Sequence, residues 1–354
     1  MTRARAAAAA VILAAGGAAA QPLVNQGNEG QGFAEAPLPR AWLAPKDNAA
    51  LTYLRLFMVQ PGFMEDFGDQ EITPTAVLSD ELVEKFASDD VQAWITELLI
   101  ATELPYCDFG IRLDMGWNTL LPHLGHLRRS ARALILDTNR LLESDRPSAF
   151  RRLGAVFALA RHVCASSDGG GVLIETLVGS AVFSAAAGAV SDLDSNDKIT
   201  PDEARALLAK LADYDPSDPF GYAASIERER AFVVASIDAV IDLDKPGLAL
   251  AEDYASATSS TVGVYEGLAA LDREGLRDEL RRYEEAYEIL RAAWGSNDPR
   301  AKLENLESLV ADGHFGVVSS VFWPSFSRIL DSRETIESTL VDVRGKLERI
   351  VSGE

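Results

Sequence analysis

The sequence predicts an all-α fold, an array or bundle of antiparallel helical hairpins, and three observations carry that prediction. Leu120, Leu124, Leu127, Ala131, Leu134, Thr138 and Leu141 alternate spacings of four and three, which places them on one face of a long helix. A second stripe, Phe150, Leu153, Phe157, Ala160 and Cys164, follows across the short turn Ser144–Pro147, so the two helices pair as a hairpin. No run longer than four residues alternates with the period of two that a strand requires.

The elements follow in order. Arg3 and Arg5 precede the apolar stretch Ala6–Ala15, and Ala18-Ala19-Ala20 supplies an A-x-A site before Gln21. That order reads as a secretory signal peptide over residues 1–20, and its apolar part is too short for a bilayer of ~30 Å. Residues 21–46, with Gly27, Gly30, Gly32, Pro37, Pro39 and Pro45, read as a flexible leader. A helical domain is expected over residues 47–351, with a weak boundary near residues 243–247. Helices are expected over about 48–60, 89–104, 120–141, 147–164, 172–190, 201–213, 222–242, 263–294 and 324–350. Pro122 fits only the first turn of its helix, and Pro147 suits the start of the next. The segment Thr176–Ser191 carries no charge, but sixteen residues fall short of the ~20 needed to span a bilayer. It reads as the buried centre of a bundle, so no membrane span is expected in the mature chain. Leu276, Leu280, Tyr283, Tyr287, Leu290 and Trp294, and then Ile336, Leu340, Val343, Leu347 and Ile350, read as helix-pairing seams.

The formal charge of the 354 residues is −21, and removal of Arg3 and Arg5 with the signal peptide makes it −23. A nucleic-acid binder would need the opposite sign. Against this background, the stretch His123–Cys164 holds eight arginines and three acids, a local +5. It would suit an anionic partner, or its arginines would pair with the chain's own carboxylates. The two cysteines, Cys107 and Cys164, would form one disulfide in an exported protein, or remain buried thiols, since Cys164 lies on an apolar stripe.

Residues 106–190 carry Cys107-Asp108-Phe109-Gly110, Leu120-Leu121-Pro122-His123-Leu124, Leu127-Arg128, Ala131-Arg132, Ala160-Arg161-His162 and Leu177-Val178-Gly179. With Asn48-Ala49-Ala50 and Phe57, these resemble a family of uncharacterised exported helical proteins of planctomycete-type bacteria, similar in layout to tetratricopeptide arrays. No clean 34-residue repeat accompanies the resemblance. What it implies is export and a helical fold, and it brings no activity.

Several chemical signatures are absent: H-E-x-x-H, G-x-S-x-G and the phosphate-binding P-loop. Gly169-Gly170-Gly171 reads as a turn. His123 and His126, three apart on a helix, with His162, would make a transition-metal site or satisfy local hydrogen bonds. The sharpest motif is Asp192 to Glu203, which resembles an EF-hand calcium loop. Asp192, Asp194, Asn196, Thr200 and Glu203 stand at loop positions one, three, five, nine and twelve, with the Lys198 carbonyl at seven. Asp197 occupies the sixth position, where glycine is expected. Thr200-Pro201-Asp202-Glu203 is also a capping box with proline at the first helical position, which explains half of the motif without a metal. The expectation is an exported interaction or structural module with a protein partner, stabilised by one calcium ion. The alternative is an enzyme with an inter-helical cleft near Asp108, Asp114, His123 and His126.

Overall fold

The computed structural model describes residues 47–65, 77–111, 119, 121–164, 171–258 and 260–353. Residues 1–46, expected to hold a signal peptide and leader, lie outside them, as do Asp114 and the pair Gly169-Gly170. Helices make up almost all the regular structure: α1 Ala49–Met58, α2 Asp80–Ala87, α3 Asp89–Thr102, α4 Pro122–Leu141, α5 Arg146–Cys164, α6 Leu173–Ser195 and α7 Pro201–Leu211 in the first part. Then come α8 Tyr222–Val240, α9 Pro246–Ala257, the single turn α10 Glu266–Ala269, α11 Arg273–Trp294, α12 Pro299–Ala311, α13 Gly316–Phe322 and α14 Phe326–Ser352. Among the described residues there is no strand, only an isolated parallel bridge between Asn48 and Tyr106.

The expected helices are present with shifted ends, and four helices were not foreseen: α2, α9, α12 and α13. The single helix expected over 263–294 is broken at Ala270–Asp272. There the Asp272 carboxylate accepts from Gly275 N and starts α11 afresh. An aspartate in this position favours a new start, because it satisfies a donor that the first turn leaves orphaned.

Helices α4, α5 and α6 pack on one another in succession, as the two apolar stripes require. The α5–α6 contact is close because Gly179 lacks a side chain: a Cβ there would stand 2.2 Å from Cys164 Sγ and 2.8 Å from the Ala160 carbonyl. The apolar α6 is largely buried, the place its lack of charge predicts. The last helix, α14, lies across α6 and α7, distant from it in sequence, and also packs on α12. Arg344 donates to the carbonyls of Leu211 and Tyr214, and Lys346 to Ser191 Oγ. One connected core runs from Ala49 to Leu347 and includes Val240 and Leu250, on either side of residues 243–247.

Candidate functional site

The loop of residues 192–203 is built from two helix ends. Asp192 and Asp194 belong to the last turn of α6. Asp197 N donates to the Asp194 carbonyl at 2.9 Å and Lys198 N to the Leu193 carbonyl at 2.9 Å. This is a Schellman ending, with Asp197 at φ +54° in the place usually taken by glycine. Thr200 then opens α7 through the capping box, its hydroxyl accepting from Glu203 N while Glu203 accepts from Thr200 N. Asn196 donates its side-chain amide to the Asp192 carbonyl.

Asp192 and Asp194 thus end one helix, and Thr200 and Glu203 start the next. Among the described residues no group of three or more His, Cys, Asp or Glu side chains is placed to hold a metal. A guanidinium takes two of the expected ligands instead. Arg146, at the start of α5, donates Nε to Glu203 Oε1 at 3.0 Å and Nη2 to Glu203 Oε2 at 2.8 Å, and the same Nη2 reaches the Lys198 carbonyl at 2.8 Å. Burial alone would raise the Glu203 carboxyl, but Arg146 and the Thr200 capping bonds pull it below the usual range. Lys198 pairs its ammonium with Glu143.

A second centre lies where α1, the segment 106–110, α4 and α5 meet. Asn48 caps α1, and its amide bonds both Asp108 N (2.9 Å) and the Asp108 carbonyl (2.8 Å). The Asp108 carboxylate accepts from Gly110 N at 2.7 Å. Phe57, Tyr53 and Phe109 lie nearly parallel; His126 stacks on Phe57 with centroids 4.6 Å apart, and His123 on Phe109 at 4.2 Å. His162 meets the Tyr53 hydroxyl through Nδ1 at 2.8 Å. Burial, helped by Arg161, lowers the imidazole of His162 to about 3, so it is neutral at physiological pH. His123 is buried, donates Nε2 to Glu175 at 3.1 Å and leaves Nδ1 without a partner. Glu175 in turn accepts from Val172 N and starts α6; a Cβ on Gly171 would collide with its carboxylate.

Three of the four histidines thus share one aromatic core, but they turn to separate partners: Glu175 for His123, Gln60 for His126 and Tyr53 for His162. Asn48, Phe57, Asp108, Phe109, His123 and His162 thus meet here. Asp114, the fourth residue of the expected catalytic cleft, lies outside the described residues. A broad surface groove is found elsewhere, lined by Asp242, Asp244, Asp272, Arg273 and Arg277 among others.

The arginine-rich hairpin is largely neutralised from within. Arg140 and Arg152 both pair with the fully buried Asp137, Arg146 with Glu203, Arg151 with Glu103 and Arg161 with Asp213. Both cysteines are free and buried, and burial holds both thiols well above the ordinary range, in their protonated form.

A third polar centre has little sequence signature. Glu229 on α8 accepts from Leu173 N, and burial raises its carboxyl to about 7. It lies within electrostatic reach of Tyr254 on α9 and of Tyr283 and Tyr287, whose spacing on α11 marks a packing seam. A buried tyrosine ordinarily finds a partner for its O–H, which is the one cue the sequence offered.

No family model matches the chain, and neither the curated proteins nor the solved structures compared with it give a match.

Proposed function

We propose that the chain is an exported, non-catalytic helical module, folded as a closed bundle rather than an open repeat array, that docks a protein partner through the outer face of α1. The carrying observation is an apolar row on that helix. Leu51, Leu54 and Met58 follow the spacing three and four and are exposed, Met58 at 86% and the adjoining Val59 at 66%. Ile100 is exposed on α3, which packs against α1. The opposite face of α1, with Ala50, Tyr53 and Leu56, is buried. An exposed apolar row marks an interaction surface when it is contiguous and the rest of the chain is strongly charged. Catalysis has less support, because the three histidines of the aromatic centre bond separate partners, Glu175, Gln60 and Tyr53.

A photo-reactive residue placed at Met58 in the exported protein, in its own cells, should give one discrete adduct, and Leu54→Glu should abolish it without altering the melting temperature. The same probe at Val341, exposed on α14, is the control. Equal adducts at both positions, or none at Met58, would overturn the proposal.

A calcium-stabilised turn is the second reading of the 192–203 loop. The left-handed Asp197, at the position an EF-hand loop gives to glycine, supports it. Calcium would have to displace Arg146 from Glu203 and from the Lys198 carbonyl. An arginine-held turn needs no such exchange.

A further inference from the structure

The turn that joins α8 to α9 is clamped by Arg273 at the start of α11. Its Nε donates to the Ile241 carbonyl at 3.1 Å and its Nη2 to the Asp242 carbonyl at 3.0 Å. Gly247, in the first turn of α9, sits hard against the segment before α11: its N–H donates to the Leu271 carbonyl at 3.1 Å, and a Cβ there would stand 2.4 Å from the carbonyls of Leu268 and Leu271. These contacts fix the turn against α11. Between the two runs an open groove of about 1360 Å³. Leu243, exposed at 51%, Pro246 and Leu280 give it apolar surface.

The charge of the lining is uneven. Six acids stand against three arginines, a net −3. Most of these are engaged: Asp242 with Arg273, Asp278 with Arg281, Glu284 with Arg230 of α8, and Asp272 with Gly275 N. Among the described residues nothing pairs with the side chains of Asp244, Glu274 and Arg277, all three exposed. The groove therefore offers two carboxylates, one guanidinium and an apolar floor, on walls already held in place, so little ordering opposes binding. Its volume exceeds the ~300–1,000 Å³ of small-molecule sites. Among the described residues no three acids are placed to hold a metal.

We propose that this groove binds a short basic segment of a partner protein, with two lysine or arginine side chains flanking an apolar one. Asp244 and Glu274 take the two cations, Leu243 and Leu280 receive the apolar side chain, and Arg277 donates to a backbone carbonyl of the segment. The surface is additional to the docking face of α1, which packs on α3 and α4. Exposed charge pairs are weak and screened by salt, so the apolar contact supplies the discrimination.

The probe is a fluorescent, end-blocked pentapeptide of alternating lysine and leucine, beside its equivalent with serine for leucine, read by anisotropy at about 0.15 M ionic strength. The leucine peptide should bind saturably and about tenfold more tightly than the serine peptide. Asp244→Asn with Glu274→Gln should keep the melting temperature and weaken binding about tenfold. Asp312→Asn with Glu348→Gln, which removes the same charge from exposed positions outside the groove, should leave it unchanged. Leu243→Ser, on the surface turn, should erase the preference for leucine over serine. The absence of saturation, equal affinity for the two peptides, or equal weakening by the two double variants would overturn the proposal and leave only the diffuse attraction of an acidic protein for a cation.

Discussion

Arg146 on α5 holds Glu203 on α7 by both carboxylate oxygens, the two that a calcium ion would need from it. The contact joins two helices whose starts lie far apart in sequence, and the shared bond to the Lys198 carbonyl fixes the turn between α6 and α7 as well. Two-toothed arginine–carboxylate pairs are among the stronger ion pairs because both hydrogen bonds are charge-assisted and the fork is rigid.

Arg146→Met is therefore expected to destabilise the fold by about 1–2 kcal/mol, while calcium at millimolar concentration leaves the wild-type melting temperature unchanged. Calorimetry on both proteins, with and without calcium, checks this. A calcium-dependent rise in the wild type would reinstate the metal at Asp192, Asp194, Asn196, Lys198, Thr200 and Glu203.

Leu127 is fully buried in the middle of α4. Replacing it by aspartate puts an unpaired carboxylate into an apolar seam, a cost of several kcal/mol against a whole-domain margin of ~5–15 kcal/mol. Leu127→Asp should be unfolded or molten by circular dichroism and thermal melting at neutral pH. A cooperative transition at the wild-type temperature would mean that the α4 stripe does not face the core.

These two cases show how far the sequence could be read. The α4 and α5 stripes, the packing of these two helices on each other and the buried α6 follow from the positions of apolar residues alone, because burial repeats with the helical period. Helix α12 carries the same signal, with Pro299 at its start and Leu303, Leu306 and Val310 spaced by three and four, whereas the short α2 and α13 leave little periodicity to read. The Asp192–Glu203 motif is ambiguous for a chemical reason: Asp, Asn, Thr and Glu serve both as calcium ligands and as helix caps. What separates the two uses is Arg146, a residue that no local pattern could place beside the loop. The histidines were grouped correctly, but the rings that organise them, Tyr53, Phe57 and Phe109, come from two other segments.

Cleavage after Ala20 is expected on exported protein, from the ordered positive, apolar and small-residue regions. N-terminal sequencing should begin at Gln21. A secreted product that retains Met1 to Ala20 would contradict both the signal peptide and the export on which the proposed function relies.

The last prediction concerns pH. Burial raises the Glu229 carboxyl from 4.5 to about 7, so the folded state favours its protonated form. Folding then takes up a proton between these two values, and the stability it contributes is complete below 4.5 and lost as pH rises to about 7. The penalty above pH 7 is at most about 3 kcal/mol, because part of the residue reaches the surface and solvent relieves the charge. Glu203 and Glu227, both lowered by their arginines, act in the opposite sense and lose their contribution only in acid. A wild-type pH profile mixes the two, whereas the difference from Glu229→Gln isolates one carboxyl. Glutamine keeps an acceptor for Leu173 N and has no charge to bury. The variant should therefore melt close to the wild type at pH 4.5 and progressively above it from pH 5 to 7, with a constant gap beyond. A gap that does not change across this range would show that the Glu229 carboxyl is solvated, and that the tyrosines around it stand in water.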